Sequence, residues 1–164
     1  LREVLDEVGA DAARFFFLMR RTSSHLDFDL EIAKKQSAEN PVFYVQYAHA
    51  RISSIIRKSE ESDADFSGTE IRDLFKTEKE VTLIRELDKF PELIEEVAQS
   101  YDVHKLPHYA IKLAEKFHSF YNECQVLDEK NPELSRARLK LVQAVRIVLA
   151  ETLRLIGVDA PERM

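Results

Sequence analysis

A chain of 164 residues, 45 % apolar and 33 % charged, is long enough for one domain with its own core, too apolar to stay disordered and too charged for a bilayer. Its formal net charge of -6 excludes the uniformly basic surface common among nucleic-acid binders, although Asn131–Met164 carries six basic and four acidic residues, a local balance of +2. The single cysteine, Cys124, permits no internal disulfide and sets the expectation of a reducing, cytoplasmic compartment, while the apolar run Phe15 to Met19 falls far short of the roughly 20 residues a membrane span needs.

Leu1, Val4, Leu5 and Val8 place an amphipathic pattern at the very start, so the chain reads as a piece of a longer protein. Gly9 closes that segment and Asp11 stands ready to cap the next, which carries Phe15, Phe16, Leu18 and Met19; two short helices are expected. From His25 to Leu30 the apolar residues Leu26, Phe28 and Leu30 alternate with polar ones, the period of a short strand. Asn40-Pro41 is a strong helix start, because Asn caps free amides and Pro at the first helical position gives up no hydrogen bond. The helix should run to about Ser59 with Val45, Ala48, Ile52, Ile55 and Ile56 facing the core. Ser59 to Gly68, polar and acidic, is expected to be a mobile loop. Thr77 and Glu80 form a capping-box pattern before Val81, Ile84 and Leu87, and Pro91 either kinks that helix or begins another, which holds Leu93, Ile94 and Val97. Beyond Pro107, the residues Ala110, Leu113, Phe117, Phe120 and Cys124 recur at helical spacing. Asn131-Pro132 then repeats the start signal for a long helix that Gly157 ends. The tail Val158 to Met164 is too short for structure of its own. With three glycines and five prolines, the pattern predicts an all-α bundle of about four or five helices.

Tyr44, Tyr47 and Arg51 share one side of their helix, roughly 100° around from the aliphatic stripe. Two rings and a guanidinium in a row suit unpaired bases, since each can stack and each carries a polar edge. The plainer alternative is that boundary tyrosines cover the core and Arg51 pairs with a carboxylate. A second stripe, His118, Tyr121, Asn122 and Gln125, borders the Phe117, Phe120 and Cys124 face and carries the same two readings. His104 and His108 have the i, i+4 spacing of zinc ligands but no third ligand beside them, and Cys124 on an apolar face reads as a buried small hydrophobe. No paired carboxylates and no Ser-His-Asp set can be assembled, so no catalytic residue is expected.

The string NPVFYVQYAHARISSI, from Asn40 to Ile55, resembles the opening helix of the anticodon-binding domain of bacterial arginyl-tRNA synthetases. GADAARFFFLMR, HLDFDLEIA, LPHYAIKLAEKFHSFYNECQVL and the tail ending in GVDAPERM extend the likeness over nearly the whole chain. The resemblance implies a connecting region, 1–35, followed by a helical anticodon-binding domain, 36–164. It implies tRNA-Arg and the synthetase's own catalytic domain as partners, in a monomer with no membrane association. Arginine, ATP and magnesium would bind in the catalytic part, whose HIGH-type and KMSKS-type signatures do not occur in these residues; no cofactor and no ligase activity are expected of the chain alone. Anticodon contact is implied for Tyr44, Tyr47, Arg51, Tyr121 and Met164, while His118 and Asn122 join them by their place beside Tyr121. A helical module that binds a protein partner is the alternative, favoured by the acidic balance.

Overall fold

The structure, a computed structural model, describes residues 2–21, 28–61 and 74–164. Among the described residues there are seven helices and no strand. α1 (Arg2–Leu18) is broken at Gly9, whose φ of 80° and ψ of 163° are not helical and suit glycine, so the two short helices expected there are present, joined across a kink. Asp11 does not cap its second half. Its carboxylate instead accepts from Gln46 Nε2 at 2.9 Å and from the Asp159 amide at 3.2 Å.

The alternating stretch from His25 to Leu30 is not a strand where it is described, and residues 25–27 lie outside the described residues. Asp29 Oδ1 accepts from the Ile32 amide at 3.0 Å and so opens α2 (Leu30–Lys34), with Leu30 as its first residue. A short carboxylate placed to cap free amides outweighs a three-residue alternation.

α3 (Pro41–Glu60) starts where Asn40-Pro41 predicts. Asn40 Oδ1 accepts from the Val42 amide at 3.2 Å, and its Nδ2 donates to the Ala33 and Lys35 carbonyls at 3.0 and 2.9 Å, so one side chain ends α2 and begins α3. Ser59 and Glu60 belong to α3, and residues 62–68 of the expected loop lie outside the described residues. α4 (Glu78–Asp88) has both halves of the Thr77/Glu80 capping box. Its innermost apolar residue is Leu83 rather than Val81 or Ile84, because the buried carboxylates Glu80 and Glu86 take the flanking inward positions. Pro91 stands in the first turn of α5 (Phe90–Ser100), a separate helix.

α6 (Lys105–Glu123) is the central element, packed against α3, α4, α5 and α7 (Pro132–Leu155). Phe117, Phe120 and Leu113 of α6 meet Val45 and Ile52 of α3 and Val142, Val145, Leu149 and Leu153 of α7 in one core, all fully buried. Each such side chain contributes about 1.5 to 3 kcal/mol of apolar burial. Cys124 follows α6 as its cap and is buried, as expected of a small hydrophobe. Asn131 precedes α7 without capping it, since its Nδ2 turns to Asp128 Oδ2 at 2.8 Å.

The tail has no helix of its own but is held as far as Glu162. Gly157 takes a φ of 68°, and its carbonyl accepts from Arg14. Gln46 Nε2 donates to the Asp159 carbonyl at 3.0 Å, His49 Nδ1 to the Pro161 carbonyl at 2.9 Å, and Arg57 to the Glu162 carbonyl at 3.3 Å. α3 is thereby covered on one side by the core and on a second by the tail. A third side, about half a turn from Gln46 and His49 at 100° per residue, carries the half-buried Tyr44 and Tyr47 and the exposed Arg51.

Candidate nucleic-acid interface

The packing of α6 against α3 brings the two sequence stripes together. The His118 ring lies 4.8 Å from the Tyr44 ring at 49°, and 5.8 Å from the Tyr47 ring at 23°. Phe43 also stacks on Tyr47, with centroids 6.4 Å apart and planes 9° off parallel. Tyr121 stacks on the buried Phe117 at 5.8 Å and 26°, so its position is fixed from below.

Arg51 closes the group. Its Cζ is 5.3 Å from the Tyr47 centroid and 5.6 Å from that of Tyr121, and its Nη2 donates to the Tyr47 hydroxyl. The expectation that Arg51 would pair with a carboxylate is not met, because no ion pair reaches this exposed guanidinium among the described residues. A cation over two rings retains much of its capacity to attract an anion, since the ring faces delocalise little of its charge.

Ala38, Phe43, Tyr44, Tyr47, His118 and Asn122 line a cleft of about 440 Å³ beside this platform. His118 forms its floor, and Nε2 is buried without a hydrogen-bond partner among the described residues. Burial pushes the imidazole below its ordinary range, the nearby Arg51 charge adds to that, and the Tyr44 main chain opposes both, so the ring is neutral near pH 7. Burial also raises the Tyr44 hydroxyl, with Glu115 adding repulsion, which keeps it a donor. Asn122 is exposed at the cleft's mouth. The assembly therefore offers planar faces for stacking, one exposed amide, and a guanidinium for a phosphate or a base edge.

Six of the seven expected site residues meet around α3 and α6. Met164 stands apart: it is 55 % exposed, at the end of the tail that runs along the side of α3 away from the rings. Phe43 and Ala38 were missed. Phe43 lies at i, i+4 from Tyr47, a spacing that could have revealed it, whereas Ala38 has no chemistry to single it out. His104 and His108 lie at the far end of α6, where His104 Nε2 accepts from Arg21 Nε at 3.3 Å and His108 Nε2 donates to the Met19 carbonyl at 3.1 Å. No group of three metal-ligating side chains stands together among the described residues, and no helix there is long and apolar enough to cross a membrane.

Residues 45–164 match the family described as the DALR anticodon binding domain. An arginine-tRNA ligase of Dehalococcoides mccartyi strain CBDB1 is 56 % identical over 164 residues, which is 100 % of this chain and 29 % of that protein. The arginine-tRNA ligase of Geobacillus kaustophilus strain HTA426 is 50 % identical over 165 residues, 100 % of this chain and 30 % of that protein. The chain thus spans about three tenths of the length of these curated relatives. Among solved structures, the arginyl-tRNA synthetase of Thermus thermophilus superposes with a TM-score of 0.76 at 32 % identity, covering 96 % of this chain and 27 % of that one. That of Plasmodium falciparum gives 0.80 at 25 % identity, covering 99 % and 28 %. With the helical bundle, the ring platform and a family match over most of its length in agreement, the chain belongs to the DALR anticodon binding domain family.

Proposed function

We propose that this chain reads the anticodon loop of tRNA-Arg as the anticodon-binding part of an arginine-tRNA ligase. The observation that carries the reading is the position of Arg51 over both Tyr47 and Tyr121, which joins α3 and α6 into one half-exposed face of rings and charge. Unpaired bases stack on Tyr44, Tyr47 and Tyr121, Arg51 takes a phosphate or base edge, and His118 and Asn122 border the cleft into which a base turns. Met164 offers a polarizable thioether to an unstacked base from the end of the tail. Residues 1–35 connect this module to the rest of the ligase, where arginine, ATP and magnesium bind.

A gel shift with tRNA-Arg carrying its own or an altered anticodon tests the reading, and the altered anticodon should bind more weakly. Tyr47→Ala should weaken binding of the cognate tRNA by about 1 to 3 kcal/mol, while Tyr47→Phe, which keeps the ring, should retain most of it. Arg51→Lys should cost more than its conserved charge suggests, because lysine cannot stack and donate in one plane. A Tyr47→Ala protein that melts lower but binds tRNA as tightly as before would make the ring a packing residue and sink the assignment. Arginine-dependent ATP-pyrophosphate exchange by the chain alone would contradict the place given to the chemistry.

A further inference from the structure

His118 carries a polar atom that the packing of α6 on α3 leaves unused. Its Nε2 is buried and no described group bonds to it, although buried polar atoms nearly always have a partner. The imidazole floors the cleft of about 440 Å³, under the rings of Tyr44 and Tyr47, whose centroids lie 4.8 and 5.8 Å from its own. An orphaned acceptor or donor in that place has only an occupant of the cleft to meet it.

Which of the two it is follows from the surroundings. Of the elements packed on α6, α3 alone brings rings or charge to the imidazole among the described residues: Tyr44, Tyr47 and the Arg51 guanidinium. On α6 itself, Glu115 and Tyr121 stand three residues to either side. The Tyr44 hydroxyl is held protonated and Arg51 stays charged, so the imidazole is the group here that changes state just below neutrality. The Tyr44 main chain favours a proton on the ring. With Nε2 unpartnered, that proton belongs to Nδ1, and Nε2 of the neutral ring is a bare acceptor.

We infer that His118 decides what the cleft admits: its Nε2 accepts a hydrogen bond from the amino group of an entering base, and a proton on the ring shuts that base out. Cytosine and adenine present an amino donor where uracil and guanine present a carbonyl, so a fixed acceptor separates them. Protonation turns Nε2 into a donor and reverses the preference. Because Nε2 is covered, the contact forms only when the base displaces the Tyr44 or Tyr47 ring above it. The inference rests on the tRNA reading above and adds to it the atom that selects the base and the proton that governs it.

Binding of tRNA-Arg to the whole chain, measured from about pH 8 down to about pH 5, tests this. A gain of positive charge alone strengthens binding to RNA as pH falls. Loss of the acceptor does the opposite: affinity should be level above about pH 6.5 and decline below it, since the folded ring takes its proton below that ordinary value. His118→Phe keeps a ring without an acceptor, so it should bind about tenfold more weakly at about pH 8 and show no such decline. His118→Gln, whose amide oxygen accepts without titrating, should restore most of the affinity and stay level. Changing cytosine to uracil or adenine to guanine, one anticodon-loop position at a time, should at one position cost the unaltered chain about tenfold. The Gln variant should feel that change much less, because its amide can turn and donate. Affinity that holds or rises as pH falls, a decline that persists in His118→Phe, or equal discrimination by the unaltered chain and His118→Gln would each overturn the inference. Tyr47→Ala, if it still weakens binding, would then leave the tRNA reading standing. Failure of the unaltered chain to bind tRNA-Arg would remove both.

Discussion

His49 occupies the α3 string between the two tyrosines and Arg51, yet it points the other way. It is buried and donates to the Pro161 carbonyl. Burial lowers its pKa, the Pro161 carbonyl opposes this, and Arg146 and Glu162 act with opposite signs. His118 is likewise held down by burial. For a group whose folded pKa lies below its unfolded value of 6.5, the unfolded chain takes up the proton first as pH falls. Stability is therefore undiminished above about pH 6.5 and declines as pH drops from there toward the folded values. Urea melts from about pH 8 down to about pH 5 should show this decline, and His49→Gln, which keeps a donor for Pro161, should flatten part of it. An acid limb of unchanged slope in that variant would mean that His49 protonates as readily in the fold as outside it.

At the level of elements, the start of α4 shows how a local motif acquires a distant task. Thr77 Oγ1 accepts from the Glu80 amide at 3.2 Å, and Glu80 Oε2 accepts from the Thr77 and Lys76 amides at 2.8 and 2.9 Å. The other carboxylate oxygen accepts from Arg138 of α7, so one side chain caps α4 and ties it to α7. Burial alone would push the Glu80 carboxyl up, but the bonds from Thr77, Arg138 and Lys76 together outweigh it and leave it lowered. Its stabilising effect is thus present above about pH 4.5 and is lost as pH falls through its lowered folded value, a window separate from that of the histidines. Thr77→Ala should cost about 1 kcal/mol, the usual loss of a cap. Glu80→Ala should cost more, about 3 to 5 kcal/mol, because it strands Arg138 as well. Equal losses in the two variants, measured by denaturant melts, would show that the Arg138 pair adds nothing to the cap. The capping box was legible because both partners lie within four residues. Arg138 was not, since it stands 58 residues from Glu80. The same limit applied at the ring platform: periodicity put Tyr44, Tyr47 and Arg51 on one side of α3 and His118 with Tyr121 on one side of α6. Nothing in either spacing said that the two sides would meet. Where local signals competed, as at Asp29 with Leu30, the cap prevailed over the alternation and Leu30 opens a helix.

The whole molecule is held together by more than its core, because the tail ties α1 to α3 through bonds between residues more than a hundred positions apart. This is the part that was least legible, since a seven-residue tail carries no period and its partners are single side chains on other helices. The meeting point is Asp11 of α1. It accepts from Gln46 of α3 and from the Asp159 amide, while Gln46 also donates to the Asp159 carbonyl, so three segments share three hydrogen bonds. Asp11→Ala removes a charged acceptor from two donors, and losses of about 1.5 to 3 kcal/mol are typical when a bond to a charged group is removed. Gln46→Ala removes two of the same three bonds, so the two substitutions delete overlapping sets. The double variant should therefore lose clearly less than the sum of the singles, by more than the roughly 0.3 to 0.5 kcal/mol scatter of independent sites. All four proteins in this cycle must keep their helical circular dichroism, because an unfolded α1 would also produce a shortfall. If the losses simply add, the tail is fastened by separate contacts and the link between α1 and the ring-bearing helix does not act as a unit.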